Sequence, residues 1–186
     1  MTMKAIVFLA DGFEEVEALT TVDYLRRAGI EVDTVSIARS REVKGAHDIS
    51  VWADQTMDGI EGIGSFDGVI IPGGMPGASN LRDDARVINI VKKAYENHKL
   101  VAAICAGPIV LKKAGIMEGK KITSYPGFEK QLSGGIYQEQ SVVRDGNLIT
   151  ARGPALAVDF AVEIVTYLLG EKKARKLKDG ILYQVS

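Results

Sequence analysis

The sequence contains one cysteine, two histidines and no apolar run that approaches the roughly 20 residues of a membrane-spanning helix. A single cysteine excludes an internal disulfide and is typical of a reducing compartment. The formal net charge of -1 offers no electrostatic attraction to nucleic acid or to an anionic membrane. We therefore expect a cytoplasmic protein with neither a nucleic-acid nor a membrane partner.

The remaining composition is that of a globular protein with an ordinary core. Of the 186 residues, 46% are hydrophobic and 25% are charged. The apolar segment at the N-terminus is short and is followed by acidic residues, so it predicts a first strand and not a signal peptide. There is no repeat, low-complexity tract or linker, and we predict one domain over residues 1–186.

Short apolar segments alternate with amphipathic ones along the chain. The pattern predicts strands at Lys4–Ala10, Ile30–Ile37, Ile49–Ala53, Phe66–Ile71 and Leu100–Ile104, and helices at Glu14–Ala28, Asn80–Asn97, Ile109–Ala114 and Ala155–Leu169. Asp145-Gly146, between two further short strands, predicts a two-residue hairpin with a type I′ turn. This alternation predicts an α/β sandwich, with a mostly parallel sheet covered by helices on both faces.

The only cysteine lies where a strand is predicted to pass into a helix. Cys105 follows the apolar run Leu100–Ile104 and precedes Ala106-Gly107-Pro108, which opens the next helix. This strand–turn–helix order is typical of a nucleophile elbow. A thiol at a helix N-terminus is also expected to favour the thiolate. The alternative is a buried cysteine used as a small hydrophobe, and the elbow context favours the reactive thiol.

Ligands of such sheets bind beyond the carboxyl ends of the strands, where several loops should meet. Four segments are predicted to converge there: Asp11–Glu17, Pro72–Gly77, Cys105–Pro108 and Ala151–Ala155, the last of which brings Arg152. Glu14 and Glu17 share one helix face, whereas Glu15 points elsewhere. A carboxyl group beside a thiolate should keep its proton and donate it to sulfur. The alternative is that these acids only complement the helix dipole.

The glycine pair after the fourth strand is a candidate oxyanion site. Gly73 and Gly74 could present backbone N–H groups together with that of Ala106. The alternative is a plain tight turn, and the Lys-Ser/Thr pair of a phosphate loop is missing. Neither His47 nor His98 has metal-ligand spacing, and His98 lies in a polar turn, so we predict no metal site and no cofactor.

Taken together, these motifs resemble the DJ-1/ThiJ/PfpI superfamily, specifically its DJ-1 branch. The resemblance covers nearly the whole chain and is carried by Glu14-Glu15-Val16-Glu17, Arg26-Arg27-Ala28-Gly29-Ile30, Pro72-Gly73-Gly74, Ala102–Pro108 and Arg152-Gly153-Pro154. It implies a flavodoxin-like sandwich that forms a homodimer. It also implies that Cys105 is the reactive cysteine, that Glu17 is the protonated carboxyl bonded to its sulfur, and that Gly74 and Ala106 supply oxyanion N–H groups.

The resemblance implies two kinds of function. One is enzymatic: glutathione-independent conversion of 2-oxoaldehydes such as methylglyoxal to lactate (glyoxalase III), or deglycation of early glycation adducts. The other is a redox-sensing or protective role, in which Cys105 oxidises to the sulfinate. A peptidase of the PfpI type is a minor alternative, because that branch has histidine after the nucleophile where this chain has Ala106.

Two positions depart from the pattern of the DJ-1 branch. Tyr125 stands where the branch usually has histidine, and a phenol is a poor general base at neutral pH. His47 stands where many members carry an anion-binding arginine. Tyr125 and Arg152 are expected to contact substrate, and Arg27 and His47 to bind an anion or to lie at an interface. Whether Arg27 serves its own cleft or that of a partner subunit is left open.

Overall fold

A central sheet of seven strands organises the chain, for which a computed structural model describes residues 2–60 and 63–183. The other residues of the predicted 1–186 domain lie outside this description. The strands of the described part are β1 (Lys4–Leu9), β2 (Glu31–Ser36), β3 (Glu42–Lys44), β4 (Ser50–Trp52), β5 (Gln55–Thr56), β6 (Gly68–Ile71), β7 (Leu100–Ile104), β8 (Lys121–Ile122), β9 (Ile136–Tyr137), β10 (Val142–Asp145) and β11 (Leu148–Ala151). The sheet order is β10-β11-β7-β6-β1-β2-β5, and only the pair β10–β11 is antiparallel.

Within residues 2–60 and 63–183, six helices cover the two faces of this sheet. They are α1 (Glu15–Ala28), α2 (Gly77–Asp83), α3 (Ala85–Glu96), α4 (Pro108–Lys113), α5 (Ala157–Leu169) and α6 (Glu171–Gly180). Helices α2, α3 and α4 contribute to the core on one face, and α1, α5 and α6 to the core on the other. The predicted flavodoxin-like sandwich is therefore confirmed. None of the helices within the described ranges is both long and apolar enough to cross a membrane.

The central strands show why sequence and fold agree here. In β1, Ile6 and Phe8 face one core while Ala5, Val7 and Leu9 face the other, so both sides of the strand are apolar. Strand β7 is buried along its entire length. Because parallel neighbours flank both strands, their carboxyl ends lie at the same edge of the sheet, where Asp11 and Cys105 follow them.

Two strand predictions need correction. The predicted third strand becomes β4, which pairs antiparallel with β3 as a separate hairpin outside the main sheet. Trp52 in β4 is 72% exposed, which places its side chain at the surface and outside the core. In the hairpin of β10 and β11, Asp145 pairs with Leu148, and the loop is Gly146-Asn147. Only Gly146 of these two has positive φ, which excludes the predicted type I′ turn.

The predicted helix over 80–97 is interrupted. Asp84 has extended backbone angles and its carboxylate accepts hydrogen bonds from the N–H groups of Arg86 and Val87, so it ends α2 and caps α3. The last long helix also starts later than predicted, at Ala157, after a turn of 3₁₀ helix at Pro154–Leu156.

Candidate active site

The turn after β7 holds Cys105 in a strained backbone conformation. Its φ is 61°, in the left-handed region that residues with a side chain rarely adopt. Its N–H donates to the carbonyl of Ala151 at 2.9 Å, and its carbonyl accepts from the N–H of Tyr125 at 2.9 Å. Helix α4 begins at Pro108. The predicted elbow is confirmed, and neighbouring backbone on both sides fixes its geometry.

The Glu17 side chain lies beneath this elbow and is 0% exposed. Its Oε2 accepts a hydrogen bond from the N–H of Gly73 at 2.7 Å. Its Oε1 is buried and has no hydrogen-bond partner of ordinary geometry among the described residues. A hydrogen bond with the Cys105 thiol lowers the pKa of this carboxyl, and both side chains lie against Gly73. The buried acid and the thiol are therefore neighbours.

Burial dominates the titration of both groups. It raises the pKa of Glu17 to about 7, against the lowering effects of the Cys105 thiol and the Gly73 N–H. It raises the pKa of Cys105 to about 12, and the Glu17 carboxylate adds to the increase, while the N–H groups of Ala106 and Gly74 oppose it. The helix N-terminus was expected to favour the thiolate, whereas burial of the sulfur and the Glu17 charge both act in the opposite direction. Helix α4, which begins at Pro108, is only six residues long.

Cys105 and Glu17 act as one titrating pair. Two interacting acids in one pocket lose their protons in two steps that belong to the pair. Above the first step the pair holds one proton and one negative charge. When that proton is on Glu17, the carboxylate charge that opposes the thiolate is gone, and the carboxylic O–H can donate to Sγ. The arrangement thus permits a reactive thiolate at neutral pH only with the help of Glu17.

The glycine loop after β6 lies directly against this pair. A Cβ atom on Gly73 would lie 2.6 Å from Cβ of Cys105 and 2.6 Å from Oε2 of Glu17. Gly74 has a φ of 87°. Its N–H and that of Ala106 are the two backbone donors that act on the Cys105 thiol. Any larger residue at Gly73 would displace the acid or the nucleophile.

This loop also packs backbone against backbone with the segment that precedes α1. The N–H of Glu14 donates to the carbonyl of Gly73, and the N–H of Gly77 donates to the carbonyl of Gly12. A Cβ on Gly12 would collide with Pro76, and one on Gly77 would lie 2.5 Å from the backbone nitrogen of Phe13. The two loops therefore meet without side chains between them.

Tyr125 and Arg152 lie beside the elbow. Tyr125 is tied to Cys105 through its backbone, its side chain is 47% exposed, and a Cβ on Gly153 would lie 3.2 Å from its ring. The N–H of Arg152 donates to the carbonyl of Ser141 at 3.1 Å. The charge of Arg152 acts on Glu129, whose pKa is lowered mainly by backbone N–H groups. A role of Tyr125 or Arg152 toward substrate stays a prediction.

Arg27 lies far from the elbow of its own chain. It follows Glu17 by ten residues of helix, which corresponds to about 15 Å along the axis. Its guanidinium pairs with Asp23 at 2.7 Å. It also lines a cavity of about 310 Å³ at the end of α1, together with Lys173 and Leu177 of α6. Arg27 therefore does not reach the Cys105 site within this chain.

His47 contacts the start of α1 through Glu15, a candidate acid for which the sequence indicated no partner. Its Nδ1 lies 2.8 Å from Oε2 of Glu15, and its backbone N–H donates to Oε1 of Glu15 at 2.7 Å. Glu15 does point away from Glu17, as predicted, but it is buried and not solvated. His47 and Glu15 are 32 positions apart in the sequence, so no local pattern predicted this contact. The only signal was that His47 is a histidine, which can pair with an acid.

Three possible metal ligands meet at the same place. Ligand atoms of Glu14, Glu15 and His47 lie within 4.8 Å of one another. Sequence spacing could not reveal this cluster because the hairpin loop folds onto the helix. The prediction of no metal site stays a prediction.

An α/β sandwich with a cysteine elbow and a buried carboxyl defines a recognisable class of protein, and comparison with known proteins identifies it. The model of the DJ-1/PfpI family matches residues 3–167. The chain belongs to the DJ-1/PfpI family.

Relatives match over nearly their full length. Protein dj-1beta of Drosophila melanogaster is 37% identical over 184 residues, 98% of each chain. A crystal structure of Drosophila melanogaster DJ-1beta superposes with a TM-score of 0.95 over 100% of both chains. The glutathione-independent glyoxalase DJ-1 of Schizosaccharomyces pombe is 32% identical over 180 residues, 92% of this chain and 94% of the relative. The structure named Toxoplasma gondii DJ-1, oxidized, is 34% identical, with a TM-score of 0.94 over 99% of this chain and 100% of the other.

Proposed function

We propose that this protein is a cysteine-dependent, glutathione-independent glyoxalase that converts 2-oxoaldehydes such as methylglyoxal to 2-hydroxy acids such as lactate. The observation that carries the proposal is the buried Glu17 carboxyl, with a pKa of about 7, beside the only thiol of the chain. A group that titrates near neutrality can both accept and return a proton at working pH. The relative named a glutathione-independent glyoxalase supports the same reaction class.

The first step forms a carbon–sulfur bond. Sγ of Cys105 attacks the aldehyde carbon C1 while its proton passes to the unpartnered Oε1 of Glu17. The aldehyde oxygen becomes an oxyanion, which would accept hydrogen bonds from the N–H groups of Gly74 and Ala106. Return of the proton from Glu17 to this oxygen gives a neutral hemithioacetal. The thiol therefore needs no free thiolate in solution, because its proton acceptor is already in place.

The second step moves a proton between the two carbons. The Glu17 carboxylate takes the proton from C1, which leaves an enediolate with its charge on the C2 oxygen. Glu17 then returns this proton to C2, and the hydroxyl proton on the C1 oxygen passes to the C2 oxygen. C1 is thereby oxidised to a thioester, and C2 is reduced to a carbinol, with no external oxidant or reductant. Water then attacks the thioester carbonyl, the carbon–sulfur bond breaks, and lactate and the Cys105 thiol are released.

Deglycation would use the same site. An early glycation adduct carries a carbinol carbon bonded to a side-chain nitrogen or sulfur, and it releases the 2-oxoaldehyde reversibly. Tyr125, whose N–H is bonded to the Cys105 carbonyl, is 47% exposed, which supports access of a bulky donor to this part of the surface. We infer small 2-oxoaldehydes as the primary substrates and glycated groups as a second class.

The direct test is loss of methylglyoxal and formation of lactate. We expect turnover by the wild-type protein, with loss of at least about a hundredfold in Cys105→Ala and in Glu17→Gln, because each removes one partner of the proton transfer. Glu163→Gln, a partly exposed acid paired with Arg144, is the matched control and should retain full activity. Equal rates in wild type and both site variants would overturn the proposal.

A redox-sensing or protective role is the second candidate. The same carboxyl and the same two N–H groups could hydrogen-bond the oxygens of a Cys105 sulfinate, and the chain has no second cysteine to form an internal disulfide. The relative whose structure is named as oxidized makes this worth testing. Titration with hydrogen peroxide and mass spectrometry should show two oxygens added at Cys105 before the methionines oxidise. Earlier methionine oxidation would contradict this role.

We further propose a homodimer and a cytoplasmic location. Helix α1 and the hairpin of β3 and β4 both carry exposed apolar side chains, namely Val16, Leu19, Ile49 and Trp52. A second copy of the chain could cover this apolar surface. Light scattering of the purified protein should give twice the monomer mass, and Leu19→Asp should reduce it. A monomer at micromolar concentration would contradict the dimer.

A further inference from the structure

A cavity of about 310 Å³ lies between the end of α1 and one face of α6. Arg27 lines it from α1, and Lys173, Lys176 and Leu177 line it from α6. Arg27 lies about 15 Å along the helix axis from the acid that pairs with Cys105, so the cavity is separate from the proposed active site. The glyoxalase chemistry involves none of the residues that line it.

Helical spacing places the α6 residues of this cavity on one side of the helix. Lys176 and Leu177 follow Lys173 by three and four residues, which puts all three on a single face. Leu177 is 5% exposed and belongs to the core, against which Ala28 and Ile181 of the cavity also pack, whereas both lysines are exposed. The cavity therefore combines an apolar floor with ammonium groups that can reach a ligand.

The positive charge of the cavity is only partly neutralised. The guanidinium of Arg27 pairs with Asp23 at 2.7 Å. Neither Lys173 nor Lys176 forms an ion pair with any residue of 2–60 or 63–183. Once Arg27 and Asp23 are set against each other, the two lysines remain as an excess of positive charge around one opening.

The stability of α6 does not account for this charge. The helix carries five basic and two acidic side chains, although the whole chain has a net charge of -1. Lys173 is the third residue of α6, in the first turn, where the helix dipole disfavours a cation. Lys173 and Lys176 are neighbours on one face and repel each other. An anion bound between them would relieve this repulsion.

We propose that the cavity between α1 and α6 binds a phosphate monoester, with its phosphate held by Lys173 and Lys176 and its organic group against Leu177 and Ala28. A phosphate monoester carries close to two negative charges at neutral pH on one compact group, which matches the two unpaired lysines. The Arg27 guanidinium adds a planar donor suited to phosphate oxygens. This inference goes beyond the proposed function and does not rest on it.

Isothermal titration calorimetry with phenyl phosphate at pH 8 tests the proposal. Benzenesulfonate has the same ring with one negative charge, and inorganic phosphate has the charge without the ring. We expect phenyl phosphate to bind more tightly than either, because only it uses both the lysines and the apolar floor. The double variant Lys173→Gln/Lys176→Gln should weaken its binding about tenfold, since two exposed charge pairs are lost.

Lys172→Gln/Arg175→Gln is the matched control, because it removes the same charge from exposed positions of α6 that do not line the cavity. It should weaken binding by less than about twofold, through long-range attraction that salt screens. Equal weakening in the two double variants would replace the site by diffuse attraction. Benzenesulfonate that binds as tightly as phenyl phosphate would remove the match to a doubly charged group.

Footprinting of the unmodified sequence gives a second measurement that needs no variant. Acetylation by acetic anhydride, read by mass spectrometry, should be slowed by phenyl phosphate at Lys173 and Lys176 and unchanged at Lys172. Protection of all three lysines, or of none, would contradict the site. Cys105→Ala should bind phenyl phosphate like the wild type, so failure of this inference and failure of the proposed glyoxalase are read separately.

A phosphate monoester can be a soluble molecule or the headgroup of a lipid, and vesicles distinguish the two. Phosphatidylcholine vesicles with and without phosphatidic acid are sedimented with the protein. Co-sedimentation that requires phosphatidic acid and is lost in Lys173→Gln/Lys176→Gln would assign the cavity to a lipid headgroup. Calorimetric binding of phenyl phosphate without co-sedimentation would assign it to a soluble ester. The absence of both kinds of binding would overturn the proposal.

Discussion

Oε2 of Glu17 accepts a 2.7 Å hydrogen bond from the N–H of Gly73, across 56 residues of sequence. This bond ties the buried acid of α1 to the glycine loop that follows β6. The orientation of the carboxyl is therefore fixed by the protein's own backbone.

The first prediction concerns the pH dependence of thiol reactivity. Alkylation of Cys105 by iodoacetamide should rise through an inflection at about pH 7, where the pair loses its first proton, and again toward the second value of about 12. Glu17→Gln should lose the inflection near neutrality and show one titration, below pH 12 because the carboxylate charge is gone. Alkylation followed by mass spectrometry reads this site alone, since the chain has one cysteine. An inflection near pH 7 that persists in Glu17→Gln would contradict the assignment.

The second prediction concerns stability. The pKa of Glu17 rises from 4.5 to about 7 on folding, so the folded state binds more protons between these values and stability falls as pH rises through this range. The loss is about 3 kcal/mol by pH 8 for a shift of this size. Urea unfolding at pH 5 and pH 8 measures it. Glu17→Gln should lose this component, and identical pH dependence in both proteins would show that Glu17 does not carry it.

The third prediction concerns the glycine loop. Gly73→Ala should lower Cys105 alkylation and cost about 1–3 kcal/mol in the free energy of unfolding, because its Cβ would be forced against Cys105 and Glu17. Gly180→Ala is the control, since a Cβ there meets nothing within 4 Å. We expect this control to unfold like the wild type in urea. Similar losses in both variants would point to a general effect of alanine.

The fourth prediction concerns the break between α2 and α3. Asp84→Ala should destabilise the protein by about 1 kcal/mol through loss of the N-cap, and Asp84→Asn should restore most of it. Asp83→Ala, at the exposed neighbouring position, should change little because exposed ion pairs contribute little. Thermal or urea unfolding distinguishes the three. Equal destabilisation by Asp83→Ala would remove the capping explanation.

The fifth prediction concerns the tyrosine beside the elbow. Tyr125→His should raise methylglyoxal turnover by roughly tenfold, because an imidazole transfers protons near neutral pH better than a phenol. Tyr125→Phe keeps the ring and should leave turnover nearly unchanged. The side chain is 47% exposed, so both changes should be tolerated by the fold. No gain with histidine would indicate that Glu17 alone carries the proton transfers.

The parts of the site that sequence predicted best are those encoded by contiguous residues. The run Leu100–Ile104 followed by Cys105 predicts the elbow because a buried strand, a turn and a helix each leave a local signal. The elbow could therefore be predicted without information about distant residues. The face predicted for Glu14 and Glu17 differs in the structure: Glu14 precedes α1 with extended backbone angles, and its carboxylate lies within 4.8 Å of ligand atoms of Glu15 and His47.

Features that depend on contacts between distant segments were missed. The contact between Glu15 and His47 could not be predicted because His47 lies on the separate hairpin of β3 and β4. The thiol pKa was predicted in the wrong direction because burial and the Glu17 charge are tertiary effects. Asp84 was placed inside a helix because apolar periodicity continues across it, and only its backbone angles show the break.

The glycine-to-glycine contact of the two loops has a consequence for how relatives can diverge. A side chain at Gly12, Gly74 or Gly77 would collide with neighbouring backbone. Substitutions at these three glycines are therefore not available for changing substrate preference. If Tyr125 and Arg152 contact substrate as predicted, variation in substrate preference is expected to accumulate around these two residues instead. A directed-evolution library confined to the residues around Tyr125 and Arg152 should yield altered substrate selectivity. A library that targets the three glycines should yield mainly misfolded protein.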